Sequence, residues 1–440
     1  MEILSVIRGL IGLILVTALA YLFSKDKKRI NWSLVGIGIM LQFVFVFIVV
    51  KTTLGHNIFY SISTFFVWLF SFASLGAQFV FGSLAKSPGT EGSLGVFFAF
   101  QVLPTIIFFA CLMSVLYYLG IMQRIVQGIA WVMLRLMKTS GAESLDVAAN
   151  TFMGQTEVPL VIRPYLSSLT KSELFTVLTS GMAHISGGVL AVYMQMLGFA
   201  YAKAHGASLE ISQVYFTGHL LAACIMAAPA TMVVAKILIP ETGDPQTMGT
   251  VKMKIEKKQS NVMEAAAAGA ADGIRLAINV AGMLIAFIAI IYLLNASLGY
   301  FGDLTGLNAV CLSHFQKPLS LELIFGLIFQ FVAYAIGVPW SDALNIGSVM
   351  GIKLVVNEFV AYLRLSDMVA AGLLTPKSIV IATYALCGFA NFSSIAIQIG
   401  GLSPLAENRR TDIAKLGLLS VLGGTIATWM TASIAGMLIN

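Results

Sequence analysis

Long apolar runs separated by short basic segments are the first pattern along this chain. LSVIRGLIGLILVTALAYLF and SLVGIGIMLQFVFVFIVV each approach the roughly 20 residues that carry an α-helix across a hydrocarbon core. They predict crossing helices over about Ile3–Phe23 and Ser33–Val50. FFAFQVLPTIIFFACLMSVLYYLG predicts another, with Pro104 tolerated because neighbouring helices absorb such a kink in a membrane. Further crossings are expected over about Glu173–Ala202, Phe216–Ile239, Ala265–Leu298, Lys377–Gly400 and Ile413–Leu438. The stretch Ile58–Ala85 mixes Ser, Phe and Gly and reads as a helix lying in the membrane interface, although its polar face lacks Lys and Arg.

Two intervals break this pattern. Ser140–Leu169 and Leu319–Leu363 are apolar but interrupted at their middles by Pro and by acidic or amide residues, which predicts two re-entrant hairpins. Basic residues cluster at Lys25–Arg29, Arg124–Lys138, Arg163 with Lys171, Lys252–Lys258 and Arg409–Lys415. With both termini outside, all five clusters fall on the cytoplasmic side, as the positive-inside bias requires. The expected fold is an all-α polytopic membrane protein of eight transmembrane helices with two opposed re-entrant hairpins.

An internal repeat organises the chain. SGMAHISGGVLAVY from Ser180 and CGFANFSSIAIQIG from Cys387 place Gly181, Ala183 and Ser186 against Gly388, Ala390 and Ser393. Each follows an acidic hairpin, GQTE with Glu157 and VNEF with Glu358. One copy starts inside and the other outside, so the halves form an inverted repeat, an arrangement that builds a midplane site from interrupted helices. The expected division is N-terminal scaffold helices with the interfacial helix at 1–120, a first repeat at 121–239, a cytoplasmic loop at 240–262 and a second repeat at 263–440.

Composition narrows the function classes. At 440 residues with 58% hydrophobic and only 10% charged, the chain lies far from the soluble norm of about a quarter charged. The net charge of +6 sits in short loops, so it carries topology and implies no nucleic acid. The first apolar run has no small-residue cleavage site and ends in KDKKR, which makes it a span rather than a removed signal. Cys111, Cys224, Cys311 and Cys387 are scattered without a CxxC pair and read as packing residues. The zinc-protease HExxH and the Walker A loop are absent, so familiar catalytic motifs do not support an enzyme.

The candidate chemistry concentrates in NTFMGQTEVPLVIRPYL, Asn150–Leu166. Irregular backbone at membrane depth is tolerated where it lines a cavity or is buried in protein. Pro159 fits such a break, and Gly154 lets a ligand or backbone approach closely. Gln155, Thr156 and Glu157 would then face a polar cavity; the simpler alternative is that Glu157 only pairs with Arg163. An intramembrane acid is a functional candidate by default, which extends to Glu358. Asn391 is costly to bury unsatisfied, whereas Ser393 and Ser394 could serve helix packing alone. His184 is ambiguous, because a buried histidine bonded to a backbone carbonyl is a common outcome. By spacing Phe389 reads as packing, and His56, His205, His219 and His314 as incidental. Asp342 and Asn345 beside Pro339 and Trp340 read as hairpin-tip structure, and Asp272 with Arg275 as an internal helix pair.

GQTEVPLVIRPYL, NEFVAYL and GFANFSSIAIQIGGLSPLAENRR resemble the concentrative nucleoside transporter family, from the second span to the C-terminus. The resemblance implies eight membrane helices, two opposed hairpins, two interrupted helices and a homotrimer. It implies that Gly154, Gln155, Thr156, Glu157 and Val189 contact the nucleobase, and that Glu358, Asn391 and Ser394 bind the ribose hydroxyls with Phe389 close by. Amide, hydroxyl and carboxylate groups suit a base edge, and an acid with an amide suits a ribose diol. The implied cation site uses Asn150, the backbone of Met153 and Ile185, and a small hydroxyl residue. His184 stands where that hydroxyl is expected, which leaves sodium and proton coupling both open. No cofactor is implied beyond the coupling ion.

The expectation is therefore a symporter of the bacterial inner membrane that carries uridine-like nucleosides by alternating access. An intramembrane enzyme using Glu157 and Glu358 as acid and base, or a passive channel, are the alternatives. Inverted repeats with broken helices favour the transporter.

Overall fold

The computed structural model describes residues 3–86, 90–95, 97–248 and 259–438. The basic cluster Lys252–Lys258 and the part of the expected loop at 249–258 lie outside the described residues. Among the described residues the regular elements are helices.

The first group is α1 (Ile3–Leu22), α2 (Trp32–Lys51), α3 (Thr53–Phe81), α4 (Phe98–Gln101), α5 (Leu103–Tyr118) and α6 (Ile121–Met137). Polar caps set their starts: Asn31 Oδ1 accepts the Leu34 amide at 3.1 Å before α2, and Thr52 Oγ1 accepts that of Gly55 at 3.0 Å before α3.

The first repeat follows as α7 (Gly141–Asn150), α8 (Val158–Val161), α9 (Arg163–Leu166), α10 (Lys171–Ala183), α11 (Gly187–His205) and α12 (Leu209–Leu238). Capping boxes start α7 at Ser140 with Glu143 and α10 at Thr170 with Glu173. The stretch expected as the second repeat opens on the long α13 (Val262–Thr305) and runs through α14 (Leu307–Phe315) and α15 (Leu321–Ala335). It continues as α16 (Trp340–Val355), α17 (Glu358–Ala370), α18 (Pro376–Leu386), α19 (Phe392–Leu402) and α20 (Arg410–Leu438).

Among the described residues, eight helical segments are long and apolar enough to cross a membrane, which matches the expected number but not the expected membership. The segment expected as a crossing at Lys377–Gly400 is two 11-residue helices, α18 and α19, separated at Cys387–Asn391. The segment expected at Glu173–Ala202 is likewise broken, between α10 and α11 at His184–Ser186. The eighth segment is instead α3 with its short 3-10 extension to Ala85. Between its ends α3 carries no Lys or Arg, and it exposes Phe65, Trp68, Phe72, Leu75 and Phe79.

The interval expected as a single second hairpin holds two breaks. α15 and α16 meet at 119° across Ile336–Pro339, and α16 stops again at Val356–Asn357, where Asn357 Oδ1 caps α17 by accepting the Val360 amide at 2.9 Å. In the first interval, α7 ends at Asn150 and the chain turns through 151–157 before α8.

The two repeats form the interior. In α12, 89% of the apolar window is buried, against 17% in α13, so α13 is a peripheral helix with one inward face. Lys236 on α12 reaches Glu143 on α7 at 2.7 Å with both side chains buried, and its Nζ also donates to Ser172 Oγ at 3.0 Å. Cys224 and Cys387, far apart in sequence, have sulfurs 3.9 Å apart.

Candidate functional site

The breaks of the two repeats meet each other. The Phe389 amide donates to the His184 carbonyl at 3.3 Å, so the unwound segment of α18–α19 lies against that of α10–α11. The repeat glycines permit this approach. A Cβ at Gly388 would stand 2.9 Å from the carbonyl oxygens of both Met182 and Ala183, and one at Gly181 would stand 2.5 Å from Gln398 Nε2. Gln398 Nε2 in turn donates to Leu178 O at 2.9 Å, which ties α19 to α10. Buried Lys353 on α16 donates to Ala385 O at 2.9 Å and Thr428 Oγ1 at 3.1 Å. It thereby satisfies a last-turn carbonyl that the break of α18 leaves without a helical partner.

This backbone arrangement aims a set of polar side chains at one place. Asn391 is the N-cap of α19: its Oδ1 accepts the Ser394 amide at 2.9 Å and the Ser393 hydroxyl at 2.6 Å. Its Nδ2 donates to Glu358 Oε2 at 2.9 Å, joining α19 to the first residue of α17. Gln155 Nε2 donates to Ser394 Oγ at 3.3 Å and so links the 151–157 turn to the second repeat. Gln155 Oε1 is buried without a protein partner. Glu358, Asn391 and Ser394 are all buried.

All nine residues expected to contact a nucleoside line a single cavity of about 350 Å³: Gly154, Gln155, Thr156, Glu157, Val189, Glu358, Phe389, Asn391 and Ser394. That volume is within the range of small-molecule sites, about 300–1,000 Å³. Glu157 is exposed to the cavity, its Oε2 accepting the Gly154 amide at 3.5 Å, and it forms no ion pair with Arg163 among the described residues. Phe389 is half-buried and turned to the cavity rather than locked in the core.

The opposite wall was not anticipated from the sequence. Asp272, Arg275 and Asn279 project from one face of α13 into the same cavity, and the Asp272–Arg275 pair, 3.9 Å apart, is exposed to it. The available signal was the recurrence of polar residues at three- and four-residue steps within an apolar helix. A second cavity, about 300 Å³, shares Glu157, Ser186 and Asp272 with the first and extends past Tyr117 to Gln259.

The residues expected at a cation site also gather at the first break. Asn150 Nδ2 donates to Ser180 Oγ at 2.8 Å and Asp146 Oδ2 at 3.1 Å. His184 turns Nδ1 back to Ser180 O at 2.9 Å, the carbonyl-bonded arrangement, while its Nε2 is buried without a partner. The Gly187 amide donates to Phe152 O at 3.1 Å, which holds the chain beside Met153 against the residues after Ile185. Asp342 lies elsewhere and serves structure, accepting the Thr375 amide at 2.9 Å, and Asn345 accepts Lys317 Nζ at 2.6 Å.

Three family models match the chain: Na+ dependent nucleoside transporter N-terminus over residues 11–84, Nucleoside recognition over 99–200, and Na+ dependent nucleoside transporter C-terminus over 219–436. The chain is 43% identical over 437 residues to the uncharacterized transporter YutK of Bacillus subtilis (strain 168), covering 99% of this chain and 100% of that one. It is 40% identical to solute carrier family 28 member 3 of Rattus norvegicus over 97% of its own length and 58% of the longer relative. Among solved structures, CNTnw in an inward-facing substrate-bound state is similar with a TM-score of 0.86 at 38% identity, covering 99% of each chain. A variant of CNTnw in an outward-facing state gives 0.87 at 38% identity, with 99% of this chain and 98% of that one covered. The chain therefore belongs to the concentrative nucleoside transporter family and is a transporter, not an enzyme.

Proposed function

We propose that this protein is a secondary active symporter that takes up nucleosides of the uridine type together with a cation. The observation that carries the reading is the convergence of side chains from the 151–157 turn, α11, α17 and the second break on one cavity. In this reading the base edge meets Gln155, Thr156 and Glu157 over Val189, and the ribose diol meets Glu358, Asn391 and Ser394. The Asn391–Glu358 bond presents an amide and a carboxylate side by side, as a vicinal diol requires. Binding between two inverted halves suits alternating access, and both inward- and outward-facing states are recorded for CNTnw.

Sodium is the favoured coupling ion. The family models carry sodium in their descriptions, and Asn150 with the carbonyls of Met153 and Ile185 supplies the oxygen donors a hard cation prefers. A proton is the second candidate, because His184 occupies the position of an expected hydroxyl. The breaks at 151–157 and 356–357 act as tips of two opposed re-entrant hairpins. The basic clusters orient both termini outward in a bacterial inner membrane. The apolar outward face of α13, with Ile278, Ile285 and Leu293 exposed, is available to lipid or to the neighbouring protomers of a homotrimer.

Counterflow of labelled uridine in proteoliposomes tests the reading. Exchange that accelerates with internal uridine and responds to an imposed cation gradient is the expected result. Uptake that is linear, non-saturable and indifferent to internal uridine would identify a channel and overturn it.

A further inference from the structure

Asp146 is fully buried on α7, yet it has no cationic partner among the described residues. Its Oδ2 accepts the Asn150 amide at 3.1 Å, whereas its Oδ1 has no partner. Lys236, the buried lysine that reaches α7, is already held by Glu143 at 2.7 Å and Glu241 at 3.4 Å. A carboxylate left charged and alone in a dry interior costs several kcal/mol more than its hydrogen bonds return, so this one either holds a proton or has a positive species beside it.

The surroundings identify where that species binds. Asp146 and Asn150 stand four residues apart on α7; Asn150 donates to Ser180 on α10, and the Ser180 carbonyl accepts from His184, the residue that follows α10. The Asn150 amide nitrogen is occupied by Asp146 and Ser180, which fixes the rotamer and leaves its oxygen turned away from the carboxylate. Glu143, one turn earlier on α7, carries the same sign as Asp146 and takes up the charge of Lys236.

We propose that Asp146 is the anionic member of the coupling-cation site, orienting the Asn150 amide oxygen toward a sodium ion and supplying the charge that the ion neutralises. This rests on the cation-coupled reading above. It places a full negative charge behind donors that would otherwise be neutral amide and carbonyl oxygens, which strengthens their hold on a hard cation. The positioning follows the general pattern in which an outer group orients a ligand and tunes its affinity.

Purified protein, titrated with sodium chloride against potassium chloride at constant ionic strength, tests this by two readouts that do not require transport: the thermal unfolding midpoint and binding of radioactive sodium. Asp146→Asn keeps an acceptor for the Asn150 amide but removes the charge, and Asp146→Ser removes both. The expected result is that Asp146→Asn needs at least about tenfold more sodium than the parent for half-maximal stabilisation, the order expected for one nearby charge at an effective dielectric of about 20. Asp146→Ser should need more still, and uridine binding at saturating sodium shows that either variant is folded. A sodium dependence for Asp146→Asn within twofold of the parent overturns the role of Asp146 and leaves the coupling reading standing. A parent that responds equally to sodium and potassium overturns the role of Asp146 and sodium coupling with it. Should neither variant purify, Asp146→Glu decides: retained sodium stabilisation supports the proposal, and its loss with uridine binding intact contradicts it.

Discussion

The Phe389 amide and the His184 carbonyl are hydrogen-bonded at 3.3 Å, and this one contact joins the unwound segments of the two repeats. A break exposes backbone donors and acceptors that a continuous helix would satisfy, so two breaks placed together can satisfy part of each other's deficit. What remains open is directed at the cavity.

The close approach makes Gly388 irreplaceable, whereas Gly400 on the following helix has no atom within 4 Å of a Cβ position. Gly388→Ala is expected to lower uridine uptake at least about tenfold and to reduce thermal stability, since two backbone carbonyls cannot retreat from an added methyl. Gly400→Ala should leave both within about twofold. Equal behaviour of the two variants in uptake and thermal unfolding would show that the breaks do not need to touch.

Glu358 is buried and bonded to Asn391, and Glu157 faces the cavity. Hydrogen bonds to a charged group contribute about 1.5–3 kcal/mol, or roughly ten- to hundredfold in affinity. Glu157→Gln and Glu358→Gln should each weaken uridine binding by that factor while the protein still inserts, as measured by equilibrium binding on purified protein. Parent-like affinity in both variants would remove these residues from the site.

Ser394 Oγ accepts from Gln155 and borders the cavity next to Asn391. Ser394→Ala should weaken uridine more than it weakens an analogue already lacking a ribose hydroxyl, because only the full ribose leaves a desolvated hydroxyl unpaired. Competition assays with both ligands make the comparison. Equal losses would mean that Ser394 serves packing and the Gln155 contact alone.

His184 offers a ring nitrogen where an oxygen would suit sodium, and Nδ1 is committed to Ser180 O. His184→Ser should lower the sodium concentration that half-saturates uridine uptake and leave a smaller response to an imposed proton gradient. Uptake driven by sodium in the parent and unchanged in the variant would make the histidine a bystander.

The apolar runs by themselves determined a polytopic helical membrane protein, because a helix must present about 20 apolar residues to span the hydrocarbon and no other local feature is needed. The polar motifs also marked most of the polar lining of the cavity: GQTE, NEF and the Asn391–Ser394 segment are too costly to bury idly, and all of them reach it. Only the tertiary structure decided continuity. His184–Ser186 and Cys387–Asn391 are short and mostly uncharged, so they scarcely lower a hydropathy average, and α10–α11 and α18–α19 read as unbroken. Their unwinding is stabilised by contacts between residues some 200 positions apart, such as Phe389 with His184, which no local window contains. The same holds for Asp272 and Arg275, which border the cavity only because of where the fold sets α13, and for Asp146. ESLDVAAN reads as an ordinary helix turn; that its carboxylate is buried without a counter-charge depends on α10 and α12 closing around it, since a charge is isolated only by what the rest of the chain places beside it.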